Sequence, residues 1–145
     1  MRNLKKREMR KIDKIIIHCT ATVEGEDFRA ADIERWHQAQ GFRTIGYHYV
    51  VLLDGSVEKG RADESVGAHV RGLNAHSIGV VYVGGLDVHR EPSDTRTNAQ
   101  RVSLRHLVGE LQHLYPGATV HGHNEFANKA CPCFDVQEEV MRGEL

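Results

Sequence analysis

Ile15-Ile16-Ile17 constrains this chain more than any other stretch. Three β-branched residues in a row, with no polar alternation, read as a buried strand over 14–18. What surrounds it alternates between strand and helix signals. Ile33, Trp36 and His37 fall on one face of a helix over 30–40, which Gly41 ends. A second strand, 47–53, turns at Asp54-Gly55 into 57–59, the strongest hairpin signal in the chain. Residues 77–83 form another apolar strand closed by Gly84-Gly85, and 86–97 read as a polar loop. Thr97-Asn98-Ala99-Gln100 has capping-box spacing, and Leu104, Leu107, Val108, Leu111 and Leu114 follow at helical intervals until Pro116-Gly117. A short strand over 118–121 and a closing helix over 135–141 complete the pattern. The sum is α/β: a single domain whose central mixed β-sheet of about five strands is flanked by helices.

A chain of 145 residues with 40 % hydrophobic content is enough for one domain and a proper core. No apolar stretch approaches the ~20 residues of a membrane span. The basic start lacks the apolar segment of a signal peptide, so the chain is expected to be made in the cytoplasm without one. Charge is unevenly spread. Residues 1–14 carry seven Lys/Arg against Glu8 and Asp13, while the whole chain is at −1. This divides the chain into a basic N-terminal arm, 1–13, and a folded domain, 14–145. The arm is either a solvated tail or a contact for an anionic polymer, cell wall or nucleic acid.

Three cysteines are an odd number for a disulfide framework, and ten histidines stand near them. His18 ends the buried strand, where a ligand is held rigidly, and Cys19 must point to the opposite face. Far along the chain, His121-Gly122-His123-Asn124-Glu125 precedes Lys129-Ala130-Cys131-Pro132-Cys133. One histidine and one cysteine from these groups complete a His₂Cys set with His18. Three nitrogen or sulfur ligands with one open position is how catalytic zinc is held; a fourth, Cys133 or His121, would make a closed structural site. Both pairs are spaced i, i+2 and share a face in extended chain. There is no HExxH glutamate, and Glu125 is the nearest carboxylate available as a base.

Five segments, IIIHCTAT (15–22), IERWHQAQGF (33–42), IGYHYVVLLDGSVEKGR (45–61), VGAHVRGLNAHSIGVVYVGG (66–85) and GHNEFANKACPCFD (122–135), give the chain its family likeness. In these it resembles the zinc-dependent N-acetylmuramoyl-L-alanine amidases of the phage-lysozyme type, relatives of the animal peptidoglycan recognition proteins. The resemblance implies one zinc ion on His18, His123 and Cys131, with Tyr47 and Lys129 as the catalytic pair beside it. It places His69 in the substrate cleft and gives His37 and His48 structural roles. The implied reaction is hydrolysis of the amide between N-acetylmuramic acid and L-alanine in peptidoglycan, by a monomer acting on the wall after release. A non-catalytic peptidoglycan-binding module is the alternative, and Cys131 stands against it. Cysteine as third ligand, where wall-recycling relatives use aspartate, points to wall lysis. Cys133 stands where phage relatives carry a small hydroxyl residue, a position from which it oxidises or competes for the metal.

Overall fold

The computed structural model describes residues 10–145. Its centre is β1 (Lys14–Cys19), flanked by β5 (Ser77–Tyr82) and β7 (Thr119–Gly122), both parallel to it. Beyond β5 lie β3 (Tyr49–Val51), also parallel, and the antiparallel edge strand β4 (Val57–Lys59), giving a five-stranded sheet in the order β4-β3-β5-β1-β7. The mixed sheet expected from the sequence is therefore present, with parallel strands covered on both faces as such strands require.

Strand alternation assigns the faces. Ile15, Ile17 and Cys19 join Ile78, Val80 and Tyr82 in one core. That core is closed by Leu104, Leu107, Val108 and Leu111 of α2 (Asn98–Leu114) and Val136 of α3 (Val136–Met141). The opposite face is covered by α1 (Ala30–Ala39), whose Ile33 packs with Ile45, Val50, Leu52, Val81 and Val83. Ile15, Ile16 and Ile17 are each fully buried, so β1 is sealed on both sides.

The predicted capping box starts α2: the Gln100 N–H donates to Thr97 Oγ1 at 3.0 Å, and the Thr97 N–H to Gln100 Oε1 at 2.9 Å. Gln100 is itself buried, and its amide donates to the carbonyls of Val83 and Val51. One side chain thus caps the helix and ties down the ends of two strands, satisfying carbonyls that would otherwise be stranded. The Asp54-Gly55 turn forms as expected, with Gly55 at φ +88 and the Ser56 N–H donating to Asp54 Oδ1.

Two details differ from the sequence reading. Tyr47 lies two residues ahead of β3 rather than within it, although the His48 N–H still donates to the Gly79 carbonyl. The loop over 86–97 also contributes to a small parallel pair, β2 (Thr22–Val23) with β6 (Gly85–Leu86). Strands of two residues carry no periodicity to read.

Residues 1–9 of the basic segment lie outside the described residues. Arg10 to Asp13 are tied to the domain. Arg10 donates to the carbonyls of Asp63 and Ser77, both at 2.8 Å, Ile12 enters the core, and the Asp13 backbone bonds to His76 and Thr119. Asp63 accepts side-chain hydrogen bonds from Tyr49, Tyr115 and Lys59. Burial would raise its carboxyl, but those three donors outweigh it and hold Asp63 below the ordinary carboxylate range.

A depressed folded-state pKa stabilises the fold above the unfolded value, about 3.9, and that contribution disappears as pH falls through the folded value. Asp63→Asn is accordingly expected to cost about 1–3 kcal/mol at pH 7 in urea unfolding. The gap between variant and unaltered chain should close below about pH 4. A gap that stays constant down to pH 2 would show that the carboxylate charge is not what these donors recognise.

Candidate metal centre and cleft

His18, the penultimate residue of β1, pairs in register with Val81 and so faces the α1 side of the sheet, only 1 % exposed. Two distant segments come to meet it. His123 opens a one-turn helix, His123–Glu125, directly after β7, and its ring centroid lies 4.7 Å from that of His18. Cys131 approaches from the following loop, its Sγ 3.9 Å from His18 Nδ1 and accepting the Cys19 N–H at 3.2 Å. One ligand atom from each of His18, His123 and Cys131 lies within 4.8 Å of the other two. These are the three residues the resemblance implied, and they can hold a metal ion.

The i, i+2 alternatives are separated by local structure. His121 Nδ1 pairs with Glu125 Oε1 at 2.8 Å and its Nε2 with Thr119 Oγ1 at 2.7 Å, which leaves it outside the group. Glu125 also accepts the Gly122 N–H, so its carboxylate braces the turn that presents His123. Burial opposes ionisation there, but the Gly122 N–H and His121 hold Glu125 below the ordinary range. Cys133 has left-handed backbone at φ +70, and its Sγ lies 3.8 Å from the core-facing Cys19 Sγ. Burial pushes the Cys133 thiol up to about 12.

Electrostatics favour ligation by the group. Burial first, then His69, His123 and Lys129, hold His18 well below the usual imidazole range. Burial and the Lys129 cation lower His123 as well. Both rings are therefore neutral at pH 7, the form that binds metals. Hydrogen bonding from Cys19, whose N–H donates to the sulfur at 3.2 Å, together with the nearby Lys129 charge, outweighs burial and lowers the Cys131 thiol, favouring the thiolate.

Tyr47 stands beside this group with its ring centroid 5.0 Å from His18. Burial, and then the proximity of Cys131 and Cys19, raise its phenol, which stays protonated at neutral pH. Lys129 is exposed, near enough for its charge to act on both His18 and His123. His37 and His48 are structural: the Gly46 N–H donates to His37 Nδ1 at 2.8 Å, and His48 accepts the Gly79 N–H and donates to the Ser65 carbonyl. A surface groove along α2, lined by Val102, Arg105, His106, Gly109 and His113, contains none of these site residues.

His69 holds a place that sequence reasoning did not anticipate. Its Nδ1 lies 2.8 Å from His18 Nε2 and its Nε2 lies 3.1 Å from Ser77 Oγ. Both ring nitrogens are therefore engaged within the protein. The available signal was Ser77-Ile78-Gly79, a hydroxyl and a bare backbone position on one face of β5.

Comparison with known proteins identifies the family. The family model described as N-acetylmuramoyl-L-alanine amidase matches residues 8–134. The endolysin of Enterobacteria phage K11 is 41% identical over 132 residues, 91% of this chain and 87% of that one. The endolysin of Escherichia phage T7 is 41% identical over 133 residues, 92% and 88% of the two chains. Among solved structures, the N-acetylmuramoyl-L-alanine amidase LysC from Clostridium intestinale URNW superposes with a TM-score of 0.78 at 25% identity, covering 93% of this chain and 85% of that chain. A match of this extent, in sequence and in fold, means that the chain belongs to the N-acetylmuramoyl-L-alanine amidase family.

Proposed function

We propose that the chain is a zinc-dependent amidase that lyses cell walls by hydrolysing the bond between N-acetylmuramic acid and the L-alanine of the peptidoglycan stem. The observation that carries this reading is the convergence of His18, His123 and Cys131 from three separate segments. Their donor chemistry fits the ion. Zn–N and Zn–S bonds of about 2.0–2.3 Å put two ligands of one tetrahedral ion roughly 3.5 Å apart. The 3.9 Å between His18 Nδ1 and Cys131 Sγ is close to that. A zinc ion held there supplies Lewis acidity for the scissile carbonyl and hydroxide at neutral pH.

The remaining work belongs to the side chains. Lys129 brings an ammonium to the rim, positioned to stabilise negative charge developing on the carbonyl oxygen. Tyr47 keeps its phenolic proton and orients water or donates toward the departing amine. His69 borders the cleft beside Tyr47, with ring centroids 6.4 Å apart, and contacts substrate through its carbon edge. In the same reading the chain acts as a monomer, and the basic segment at its start contacts anionic polymer of the wall.

Three outcomes test the assignment. Cys131→Ser is expected to lower bound zinc from one ion per chain to well below it, measured by elemental mass spectrometry, and to abolish turnover with it. Full zinc and full activity in that variant would remove Cys131 from the site. Tyr47→Phe and Lys129→Ala are expected to keep the ion while the rate on purified peptidoglycan falls about 10²–10³-fold, the usual cost of one transition-state donor.

The pH dependence has a definite sign. Because the folded environment lowers both histidines, protonation of these two rings competes with the metal only below the ordinary imidazole value of about 6.5. In a chelator competition, affinity should change little through imidazole protonation between pH 8 and 6.5, and fall steeply on further acidification. Zinc retained equally well at pH 4 is the result that this ligand set does not permit.

A further inference from the structure

The reading of His18 as a ligand leaves open which of its nitrogens takes the metal, since a neutral imidazole offers one lone pair and one proton. His18 Nδ1 faces Cys131 Sγ at 3.9 Å, and Nε2 faces His69 Nδ1 at 2.8 Å. A proton count along the hydrogen-bonded chain decides between them. Ser77 Oγ donates its single proton to the Leu73 carbonyl at 2.8 Å. Toward His69 that oxygen can therefore only accept, and the bond at 3.1 Å requires the proton of His69 on Nε2. His69 Nδ1 is then a bare acceptor. It pairs with His18 only if His18 carries its proton on Nε2, which leaves His18 Nδ1 open on the side of Cys131 and His123.

The ring that relays this choice is fixed from several directions. Asn74 Oδ1 accepts the N–H groups of His69 and Val70, at 2.8 and 2.9 Å, and so holds the loop. Beneath the ring is Gly79, where a Cβ would come within 2.7 Å of His69 Cγ. Gly67 leaves similar room, since a Cβ there would approach His69 Cδ2 to 2.9 Å and His48 Cε1 to 2.8 Å. Ser77 and Gly79 lie on the same face of β5, one binding the far nitrogen of the ring and the other providing its floor. Ile16, the register partner of Gly79, and His18, the partner of Val81, lie on that same face.

We propose that His69 is a positioning residue: through Ser77 and the Leu73 carbonyl it sets the tautomer of His18 and reserves His18 Nδ1 for the metal. This rests on the zinc reading above, and the experiments separate the two. Partners of this kind are worth about 10–100-fold in metal affinity.

The first test is nitrogen-15 NMR of the zinc-loaded full chain, which reports the protonation of each ring nitrogen. The expected result is His69 neutral with its proton on Nε2, and His18 with its proton on Nε2. A proton on His69 Nδ1 overturns the proposal, because that nitrogen could no longer accept from His18. The second test is zinc affinity by competition with a chromophoric chelator. His69→Ala is expected to weaken binding about 10–100-fold, and His69→Gln, whose side-chain oxygen can accept from His18 Nε2, to regain part of it. A purely structural role predicts no such rescue. His18→Ala separates the two ideas. If it binds zinc as tightly as the unaltered chain, the ligand reading falls. If it loses zinc while His69→Ala keeps full affinity, the ligand reading stands and the positioning role falls. Should His69→Ala fail to fold, the ring protonation states in the unaltered chain decide the matter alone.

Discussion

The burial of β1 on both faces is the constraint on which the placement of His18 depends. Ile15, Ile16 and Ile17 are sealed between α2 on one side and α1 on the other, with β5 and β7 along the edges. Each buried isoleucine contributes about 1.5–3 kcal/mol, a large part of the 5–15 kcal/mol by which a domain is stable. A slip of one residue would exchange the faces, sending His18 into the α2 core and the Cys19 thiol to the α1 side. Register and chemistry are therefore coupled: the interactions that hold the core also hold His18 in place.

Placing polar chemistry at the end of a buried strand carries a desolvation cost that the surroundings offset. Among the described residues no buried side-chain nitrogen or oxygen lacks a partner. Histidines 18, 48 and 69 stay neutral because burial disfavours their charged forms, and each finds a hydrogen bond for a ring nitrogen. The same desolvation that keeps imidazoles available for a metal keeps the Tyr47 phenol protonated. Cys131 is lowered by hydrogen bonding from Cys19, whereas Cys133, two residues on, is raised by burial. Two thiols of identical intrinsic chemistry are sorted by environment, and Cys131 is the one drawn to the histidines.

Much of this was legible in the sequence, and what was not has identifiable causes. The isoleucine run, the Asp54-Gly55 hairpin and the Thr97–Gln100 capping box each pair a local residue preference with one local structure, so they read directly. The choices of His123 over His121 and Cys131 over Cys133 did not. The i, i+2 rule assumes extended chain, but a one-turn helix begins at His123, and the Cys133 N–H closes a turn onto the Ala130 carbonyl. In both places the rule fails because the backbone has left the strand, and family resemblance supplied the choice. The His69–His18 contact joins residues 51 apart in sequence, and no periodicity signals such a pairing. In retrospect Gly79 was the clue, since a glycine inside an apolar strand marks a close approach.

The central claim joins a metal group to the cleavage of one bond, and mass spectrometry of purified peptidoglycan digested by the zinc-loaded chain tests both together. The expected products are free stem peptides beginning with L-alanine and glycan strands with intact sugar linkages, and neither should appear when a chelator is present. Cleaved glycosidic bonds, or stem peptides released equally well in chelator, would contradict the account.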